Sequence, residues 1–263
     1  MIDIHHHLLW GLDDGATSLE SSIAMARIAE EDGITHVICS PHANGKYAYE
    51  PLLVADRIST LQRVLDREAI AVKLGRGCDF HMSYDNIQEA RLDPGKFSIN
   101  GLGYLLVEIP EYGISRGLTE IFYQLQLSGL TPILTHPERN PTLQSEPERL
   151  VDWLRGGVLI QVTAGSVIGR MGKHAERMAH ALLGKRWVHF LATDAHNTTS
   201  RPPRMHEAFD LIAKKYGSEY AHLLCTSNPL SAFMGKPLQP QFEPLNLYDD
   251  MEKKRWWQKL TRR

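Results

Sequence analysis

The sequence opens with the stretch M-I-D-I-H-H-H at residues 1–7, in which a short apolar run leads into histidines. Alternate residues of an extended strand point to the same side, so His5 and His7 can hold one metal ion while His6 points elsewhere. A remnant of a purification tag would also contain histidines, but this run has only three and apolar residues alternate around it. The stretch therefore predicts a strand that ends in metal ligands.

Further apolar runs rich in β-branched residues follow, and segments with helical periodicity separate most of them. Continuous apolar runs are typical of strands buried on both faces of a parallel sheet. The seven predicted strands are Met1–His5, His36–Ser40, Ala71–Gly75, Tyr104–Ile109, Pro132–Thr135, Val158–Val162 and Val188–Thr193. The predicted helices are Ser18–Asp32, Leu52–Glu68, Leu118–Leu127, Pro147–Leu154, Ala175–Leu183 and Met205–Tyr216.

Strands that alternate with helices predict a barrel of parallel strands. Seven strands would make it an incomplete or distorted relative of the eightfold barrel. The alternative is an open, doubly wound sheet, which would need a glycine-rich phosphate loop after its first strand. Gly11 and Gly15 do not form such a loop. We therefore predict the α/β class, with a distorted (β/α)7 TIM-like barrel in a single domain.

The length of 263 residues suits one large domain, which we place at residues 1–240, with a basic and aromatic tail at 241–263. A net charge of -2 argues against a nucleic-acid partner. The three cysteines, Cys39, Cys78 and Cys225, are far apart, so a reducing cytoplasm is expected rather than a disulfide framework. We find no signal peptide and no apolar run near the roughly 20 residues of a membrane-spanning helix.

The tail carries its basic and aromatic residues close together. Such a segment can lie on an anionic membrane surface. The simpler interpretation, which we prefer, is a mobile or docked surface helix. The residues concerned, within Asp249–Arg263, are Lys253, Lys254, Arg255, Trp256, Trp257, Lys259, Arg262 and Arg263.

Histidines and acidic residues recur where the predicted strands end. Active sites of parallel barrels form at these carboxyl ends, so the side chains are expected to converge. Only the sixth strand, which ends near Gln161 and Thr163, offers no obvious ligand. Imidazole and carboxylate ligands without thiolates suit Mn²⁺, Fe or Zn²⁺ in hydrolysis. The predicted metal ligands are His5, His7, Asp14, His42, Asp79, Glu108, His136, Asp194 and His196.

The segments around these residues resemble those of the PHP (polymerase and histidinol phosphatase) superfamily. More narrowly, the chain is similar to the CpsB/CapC-type manganese-dependent protein-tyrosine phosphatases of capsule and exopolysaccharide operons. The similar motifs are M-I-D-I-H-H-H (1–7), D-D-G-A (13–16), S-P-H (40–42), L-V-E-I-P (106–110), T-H-P-E-R-N (135–140), Q-V-T-A-G-S (161–166), T-D-A-H-N-T (193–198), R-P-P (201–203) and S-N-P (227–229).

The resemblance implies three divalent metal ions and hydrolysis of phosphotyrosine by attack of a metal-bridging hydroxide. It implies Mn²⁺, and the ligand types also admit Fe or Zn²⁺. The implied partner is a phosphotyrosine protein, namely a tyrosine kinase that controls polysaccharide chain length and export. One position departs from the family pattern, because Asp79 stands where the family usually has the longer glutamate.

By analogy with the family, we divide the ligands among three metal positions. Glu108 is the carboxylate shared between two of them. Asp14 is preferred over its neighbour Asp13 as a ligand, because the family pattern favours it. Asp14 or His42 could also protonate the leaving tyrosyl oxygen, although metal ligation competes with that role. The three sets are His5, His7 and Asp194; Asp79 and His136; and Asp14, His42 and His196.

Positive charge that does not come from metal is expected at Arg139 and Arg201, because a guanidinium can bind two phosphate oxygens at once. The alternative is that these arginines pair with carboxylates such as Glu138 or Glu146. Tyr47 lies in the loop after the second strand, where it either stacks on a phosphotyrosine ring or is an ordinary loop residue.

Other functions compete with a tyrosine phosphatase. The first is a small-molecule phosphomonoesterase of the histidinol-phosphatase kind, and the others are an inactive phosphoprotein-binding scaffold and an amidohydrolase. The scaffold is disfavoured by the intact ligand set, and the amidohydrolase by the lack of a clear lysine at a strand end. A cysteine-dependent phosphatase places arginine six positions after its cysteine, and those positions hold Gly45, Tyr84 and Ser231.

Overall fold

A computed structural model describes residues 1–111, 113–115 and 117–249. Every strand pair in this part of the chain is parallel. One sheet has the order β1-β2-β4, and a second has the order β3-β5-β6-β7-β8-β9. The strands are β1 (Ile2–His6), β2 (His36–Cys39), β3 (His42–Ala43), β4 (Lys73–Arg76), β5 (Asp79–His81), β6 (Tyr104–Glu108), β7 (Thr131–Thr135), β8 (Leu159–Thr163) and β9 (Phe190–Ala192).

All seven predicted strands are present, and two of them continue as additional short strands. Residues 40–41 alone separate β2 from β3, and residues 77–78 alone separate β4 from β5. The chain thus passes from the first sheet to the second just after each of these two predicted strands. Proline at position 41 lacks the N–H that a continuous ladder requires.

The first strand also contacts the segment that follows the last one. A parallel bridge joins His6 to Ala195, and the N–H of Asp194 donates to the carbonyl oxygen of His5 at 2.9 Å. The predicted single-domain α/β fold with parallel strands is confirmed. Within the described residues, however, two sheets linked by this bridge stand where a distorted (β/α)7 barrel was expected.

The six predicted helices are present, and Leu118–Leu127 has the predicted bounds. Ser18 caps α1, because its hydroxyl accepts the N–H of Ser21 and the hydroxyl of Ser21 accepts the N–H of Ser18. Single turns of 3₁₀-helix (Ile99–Gly101, Pro137–Arg139) and a π-helical turn (Leu223–Ser227) complete the fold. The helices are α1 (Leu19–Glu31), α2 (Pro51–Arg67), α3 (Tyr84–Leu92), α4 (Pro94–Phe97), α5 (Leu118–Leu127), α6 (Pro141–Ser145), α7 (Arg149–Arg155), α8 (Ala164–Val167), α9 (Lys173–Gly184), α10 (His206–Tyr216), α11 (Ser218–His222) and α12 (Asn228–Phe233).

The apolar core lies on both faces of the strands. In β6, Leu105 and Val107 belong to the cluster shared with the helices, whereas Leu106 belongs to a second cluster that contains Ile4 and Ile133. Side chains of a strand alternate between its two faces, so β6 is buried on each side. This burial explains why the strand sequence is a continuous apolar run rather than an alternating one.

The pairing of β1 with β2 shifts register between Asp3 and His6. Ile4 packs in the second cluster, and His5 lies near ligand candidates from several other strands. Irregular strand pairing such as a β-bulge is common beside active sites.

Residues 241–249, which the sequence assigned to the tail, pack against the rest of the fold. The N–H of Leu245 donates to the carbonyl oxygen of Lys185, and the indole N–H of Trp187 donates to the carbonyl oxygen of Leu245. Leu247 is buried. The basic residues predicted for the tail, from Lys253 onward, lie outside the described residues. No helix in the described ranges has the length and apolar character needed to cross a membrane.

Candidate metal centre

All nine predicted ligands converge on one region of the fold. Their nitrogen and oxygen atoms form overlapping groups, and the atoms within each group lie within 4.8 Å of one another. The ligand set comes from segments spread between residues 5 and 196, so the fold alone brings them together. The groups are His5, His7 and Asp194; His5, Asp79 and His136; His42, Asp79 and Glu108; and His7, Asp14, His42 and His196.

His5 and His7 face the same point through their Nε2 atoms. These two nitrogens are 3.4 Å apart, and Oδ1 of Asp194 is 3.5 Å from the first and 3.3 Å from the second. Each Nδ1 faces an oxygen instead, namely Oε1 of Gln161 at 3.0 Å and Oδ2 of Asp13 at 2.6 Å. Because Nδ1 can donate to that oxygen, the lone pair of each neutral ring is directed from Nε2.

Asp79 lies buried at the start of β5. Its Oδ2 lies 3.0 Å from Nδ1 of His42 and 3.5 Å from Nε2 of His5, but neither carboxylate oxygen has a well-aligned hydrogen-bond donor. Burial alone would raise its pKa, but His5 and His42 outweigh this effect and hold the pKa well below its usual range. A buried carboxylate stays charged only beside positive charge, which a bound cation would supply here. The shorter side chain at this position therefore still points into the centre.

Glu108 ends β6 and lies beside the same group. Oε2 is 3.7 Å from Nδ1 of His42, and Oε1 is 3.9 Å from Nε2 of His136. Burial, followed by the charge of Asp79, raises the pKa of Glu108 to about 7. The carboxylates repel one another at this spacing, and a multivalent cation between them would remove that repulsion.

The group around Asp14 lies at the open side of the centre. The Asp14 side chain is 51 % exposed, and its Oδ1 is 3.4 Å from Nε2 of His42 and 3.6 Å from Nε2 of His196. Two other candidate ligands, His136 and Asp194, have positive φ angles of 35° and 52°. Non-glycine residues adopt this left-handed backbone only when the surroundings impose it, often at functional sites.

The residues present fit divalent cations. Bonds of about 2.1 Å at angles of about 90–110° place neighbouring ligand atoms about 3.0–3.4 Å apart. Nε2 of His5, Nε2 of His7 and Oδ1 of Asp194 are separated by 3.3–3.5 Å. Imidazoles and carboxylates in such number suit Mn²⁺, Fe or Zn²⁺ rather than a thiolate-bound metal.

Comparison with known proteins agrees with this geometry. Residues 1–234 match the family model for capsular polysaccharide synthesis, CpsB/CapC. The chain belongs to the CpsB/CapC family. It is 35 % identical over 225 residues to the tyrosine-protein phosphatase YwqE of Bacillus subtilis, a match that covers 85 % of this chain and 88 % of that protein. It is 27 % identical over 241 residues to the tyrosine-protein phosphatase CpsB of Streptococcus pneumoniae, covering 89 % of this chain and 98 % of that one.

The backbone of this CpsB/CapC protein is also similar to a solved structure. The match is to a chain from the crystal structures of YwqE from Bacillus subtilis and CpsB from Streptococcus pneumoniae, described as unique metal-dependent tyrosine phosphatases. The TM-score is 0.87 at 33 % sequence identity, and the alignment covers 93 % of this chain and 98 % of the other. The whole CpsB/CapC fold is therefore shared, beyond the ligand motifs alone.

Both predicted arginines of this CpsB/CapC protein contact Asp194. Nη2 of Arg201 is 2.5 Å from Oδ2, and Nη1 of Arg139 contacts the same oxygen. Neither arginine forms an ion pair with Glu138 or Glu146, the carboxylates considered from the sequence. Glu138 accepts hydrogen bonds from Ser166 and from a backbone N–H, and Glu146 pairs with an arginine of α7. Both guanidiniums are partly exposed and lie at the rim of the candidate centre.

Tyr47 lies beside one predicted ligand. Its ring is nearly parallel to that of His42, at an angle of 12° with centroids 6.1 Å apart, and Nζ of Lys46 is 4.6 Å from the Tyr47 centroid. His81, which was not predicted as a ligand, has Nδ1 4.0 Å from Oε2 of Glu108. An aromatic ring thus borders the centre of the CpsB/CapC protein.

Two residues at the centre were not recognised from the sequence. Asp13 was considered only as a substitute ligand, and Gln161 lies in β8, a strand that offered no ligand. Each instead contacts the Nδ1 atom of one histidine. The available signal was a polar residue within an apolar strand, but an amide is not a typical ligand for these metals.

Proposed function

We propose that this CpsB/CapC protein is a metal-dependent tyrosine phosphatase that hydrolyses phosphotyrosine on a protein substrate. The observation that carries the proposal is the convergence of five histidines and four carboxylates in one cluster. The relatives that match along most of the chain are named tyrosine-protein phosphatases. Uncatalysed hydrolysis of phosphate monoesters is extremely slow, so the site must supply large charge stabilisation.

The proposed cofactors are three divalent ions, with Mn²⁺ first and Fe or Zn²⁺ as alternatives. Bound ions would lower the pKa of water and polarise the phosphoryl oxygens. Buried Asp79, whose Oδ2 faces the imidazoles of His5 and His42 without a well-aligned hydrogen bond, supports a cation there. We propose the ligand sets His5, His7 and Asp194; Asp79 and His136; and Asp14, His42 and His196, with Glu108 shared between two ions.

Arg139 and Arg201 are proposed to bind the phosphoryl group. Each guanidinium is partly exposed and touches only one oxygen of Asp194 by an ion pair. Among the described residues, other N–H groups of each fork remain for an anion that enters the mouth, although Nε of Arg201 is buried. A planar guanidinium with parallel N–H bonds suits phosphate oxygens. The two arginines would orient the phosphoryl group and neutralise charge that builds up on it.

The leaving tyrosyl oxygen needs a proton. Asp14 is the most exposed of the proposed ligands, and Nε2 of His42 lies 3.4 Å from it. This pair is proposed to deliver the proton, since one member can hold it while the other faces the substrate. Tyr47 is proposed to contact the phosphotyrosine ring, because its own ring borders His42.

We propose that the two sheets together form a distorted (β/α)7 barrel. If β2 and β3 count as one interrupted strand, and β4 and β5 as another, the order contains seven strands. The bridge between His6 and Ala195 supports closure between the first and last of them. This arrangement would direct the carboxyl end of every strand toward one mouth.

The biological setting is proposed from the family, which is one of capsular polysaccharide synthesis. We propose a tyrosine kinase of polysaccharide export as the substrate, and the cytoplasm as the location. We also propose that residues 1–240 form the phosphatase domain and that 241–263 form an appended tail. The contacts of residues 241–249 with the domain support a docked tail.

Metal removal and readdition test the proposed function. Thorough chelation is expected to abolish hydrolysis of a phosphotyrosine peptide, and Mn²⁺ is expected to restore it. Activity that survives demetallation would refute the proposal. A parallel assay with histidinol phosphate distinguishes the small-molecule alternative. A higher kcat/KM for histidinol phosphate than for the peptide would favour that alternative.

A further inference from the structure

We infer that Asp13 and Gln161 are positioning residues, which fix the tautomers of His7 and His5 and so direct both Nε2 atoms at one cation. The inference rests on the proposed metal centre and adds two residues that do not touch the metal themselves. His5 lies in β1 and His7 directly follows that strand, but their orienting partners come from different elements. Asp13 lies in the loop before α1, and Gln161 lies in β8.

Asp13 holds His7 through a buried carboxylate. Oδ2 lies 2.6 Å from Nδ1 of His7, and the carboxylate is 1 % exposed. The same oxygen accepts the backbone N–H of His42 at 3.1 Å, and Oδ1 accepts the N–H of Gly15 at 2.9 Å. An ionised carboxylate can only accept hydrogen bonds, so Nδ1 of His7 donates to it, as the two backbone N–H groups do. One acid therefore fixes the orientation of His7 and joins the loop that carries Asp14 to the start of β3 at His42.

Gln161 holds His5 through a neutral amide. Oε1 lies 3.0 Å from Nδ1 of His5, and the side chain is fully buried. The amide nitrogen has no hydrogen-bond partner. The contact with His5 is thus the single hydrogen bond of the Gln161 side chain among the described residues. This hydrogen bond explains why a polar residue lies inside β8, a strand that offers no metal ligand.

The orientation matters because the two Nε2 atoms are 3.4 Å apart and share Asp194 as a neighbour. A proton on either Nε2 would occupy the position where a cation must bind. A hydrogen bond from Nδ1 to an oxygen disfavours that tautomer and makes Nε2 more basic. Loss of such an outer partner typically weakens metal affinity by about 10- to 100-fold.

The variants are Asp13→Asn, Gln161→Leu and Gln161→Glu. Asparagine has one oxygen, so its NH₂ group would meet either the N–H of Gly15 or the donors of His7 and His42. Leucine removes the acceptor for His5, whereas glutamate keeps an acceptor at nearly the same place. Asp32→Asn is the matched control, because Asp32 also accepts two backbone N–H groups, at Met205 and His206, away from the centre.

Two measurements are made on the folded proteins. Competition with a chelator gives the affinity for Zn²⁺. Nitrogen-15 NMR of the histidine rings in the Zn²⁺-loaded protein shows which ring nitrogen, Nδ1 or Nε2, carries the proton. In the wild type we expect Nδ1–H on both rings. Asp13→Asn and Gln161→Leu should lower Zn²⁺ affinity by about 10- to 100-fold. Gln161→Glu should restore most of it, and Asp32→Asn should retain wild-type affinity.

The outcomes separate this inference from the proposed function. If the wild type binds no Zn²⁺ and no Mn²⁺, the metal centre itself is wrong. If the wild type binds metal and both Asp13→Asn and Gln161→Leu bind it equally well, the positioning role is wrong while the centre stands. Should Asp13→Asn fail to fold, the comparison of leucine with glutamate at position 161 decides alone. An equal loss of Zn²⁺ affinity in Gln161→Leu and Gln161→Glu would overturn the inference, because an acceptor for Nδ1 of His5 would then make no difference.

Discussion

Arg201 and Asp194 form an ion pair at the rim of the metal centre, with 2.5 Å between Nη2 and Oδ2. The other oxygen of Asp194 faces the histidines, 3.3 Å from Nε2 of His7. This carboxylate therefore has one oxygen directed at the proposed metal and one directed at the arginines. Its pKa is held well below the usual range, since His5 and its other partners outweigh the effect of burial.

Replacing Arg139 or Arg201 by alanine should slow catalysis and leave the metal in place. The Oδ1 side of Asp194 is unchanged by either substitution, so its contacts with the histidines persist. Loss of one donor to the reacting group is expected to lower kcat by about 10²- to 10³-fold. Steady-state kinetics and metal analysis on the same samples check this. Metal content that falls in step with the rate would identify the arginines as structural.

Tyr47 should contribute to binding of the aromatic substrate. Leucine at this position is expected to raise KM for a phosphotyrosine peptide by about 3- to 10-fold, because the aromatic contact is lost. Phenylalanine keeps the ring and is the matched control, with KM close to that of the wild type. A phosphoserine peptide should respond to neither change. An equal KM for leucine and phenylalanine variants would place Tyr47 among ordinary loop residues.

The strands of this fold could be located from the sequence, but their interruptions could not. Apolar runs mark burial on both faces, which is a local property, and every predicted strand overlaps an observed one. The break at Pro41 and the register shift between Asp3 and His6 depend on pairing with other strands, which no local pattern records. The helix Tyr84–Leu92 was missed because it buries only Ile87 and Ala90 and has a weak apolar face.

Most candidate ligands were found for a similar reason, since they lie near the ends of predicted strands and have a recognisable type, whereas Asp14 was chosen on the family pattern. Their partners were harder to predict. Gln161 is 156 positions away from His5 in the sequence, and its hydrogen bond depends on which strands face each other. Likewise, the pairing of Arg139 with Asp194 rather than Glu138 follows from the conformation of the 3₁₀ turn that contains both Glu138 and Arg139.

Gly15 should be intolerant of any side chain. A Cβ atom there would lie 2.3 Å from the carbonyl oxygen of His7 and 2.5 Å from its Cβ, so the backbone would have to move. Gly15→Ala is expected to displace the loop that carries Asp13 and Asp14 and to reduce bound metal. Metal analysis and thermal unfolding test this. Gly45→Ala is the control, because its Cβ would meet nothing within 4 Å.

None of the cysteines should be needed for turnover. Cys39, Cys78 and Cys225 are fully buried, and burial raises the pKa of each thiol, so none can supply a thiolate near neutral pH. A variant with all three replaced by alanine is expected to keep wild-type kcat on a phosphotyrosine peptide, with some loss of stability. Near-total loss of kcat in a folded, metal-loaded variant would instead support a mechanism with a cysteine thiolate as the nucleophile.

His189 should make the fold sensitive to acid. Its Nδ1 accepts the backbone N–H of Ile160 at 3.1 Å, which only the unprotonated nitrogen can do. Burial lowers the pKa of His189 from 6.5 to about 4. As the pH falls through this window, the unfolded chain binds a proton before the folded one does, so the free energy of unfolding decreases. Above the window the ring is neutral in both states and contributes no pH dependence.

Asparagine at position 189 tests this contribution, because its side-chain oxygen can accept the same N–H without titrating. Urea unfolding of the wild type and of His189→Asn across the range from pH 7 to below 4 gives the two stability profiles. We expect the variant to lose less stability than the wild type between pH 6.5 and about 4, whatever the other groups contribute to both. Parallel profiles would mean that His189 titrates alike in the folded and unfolded states.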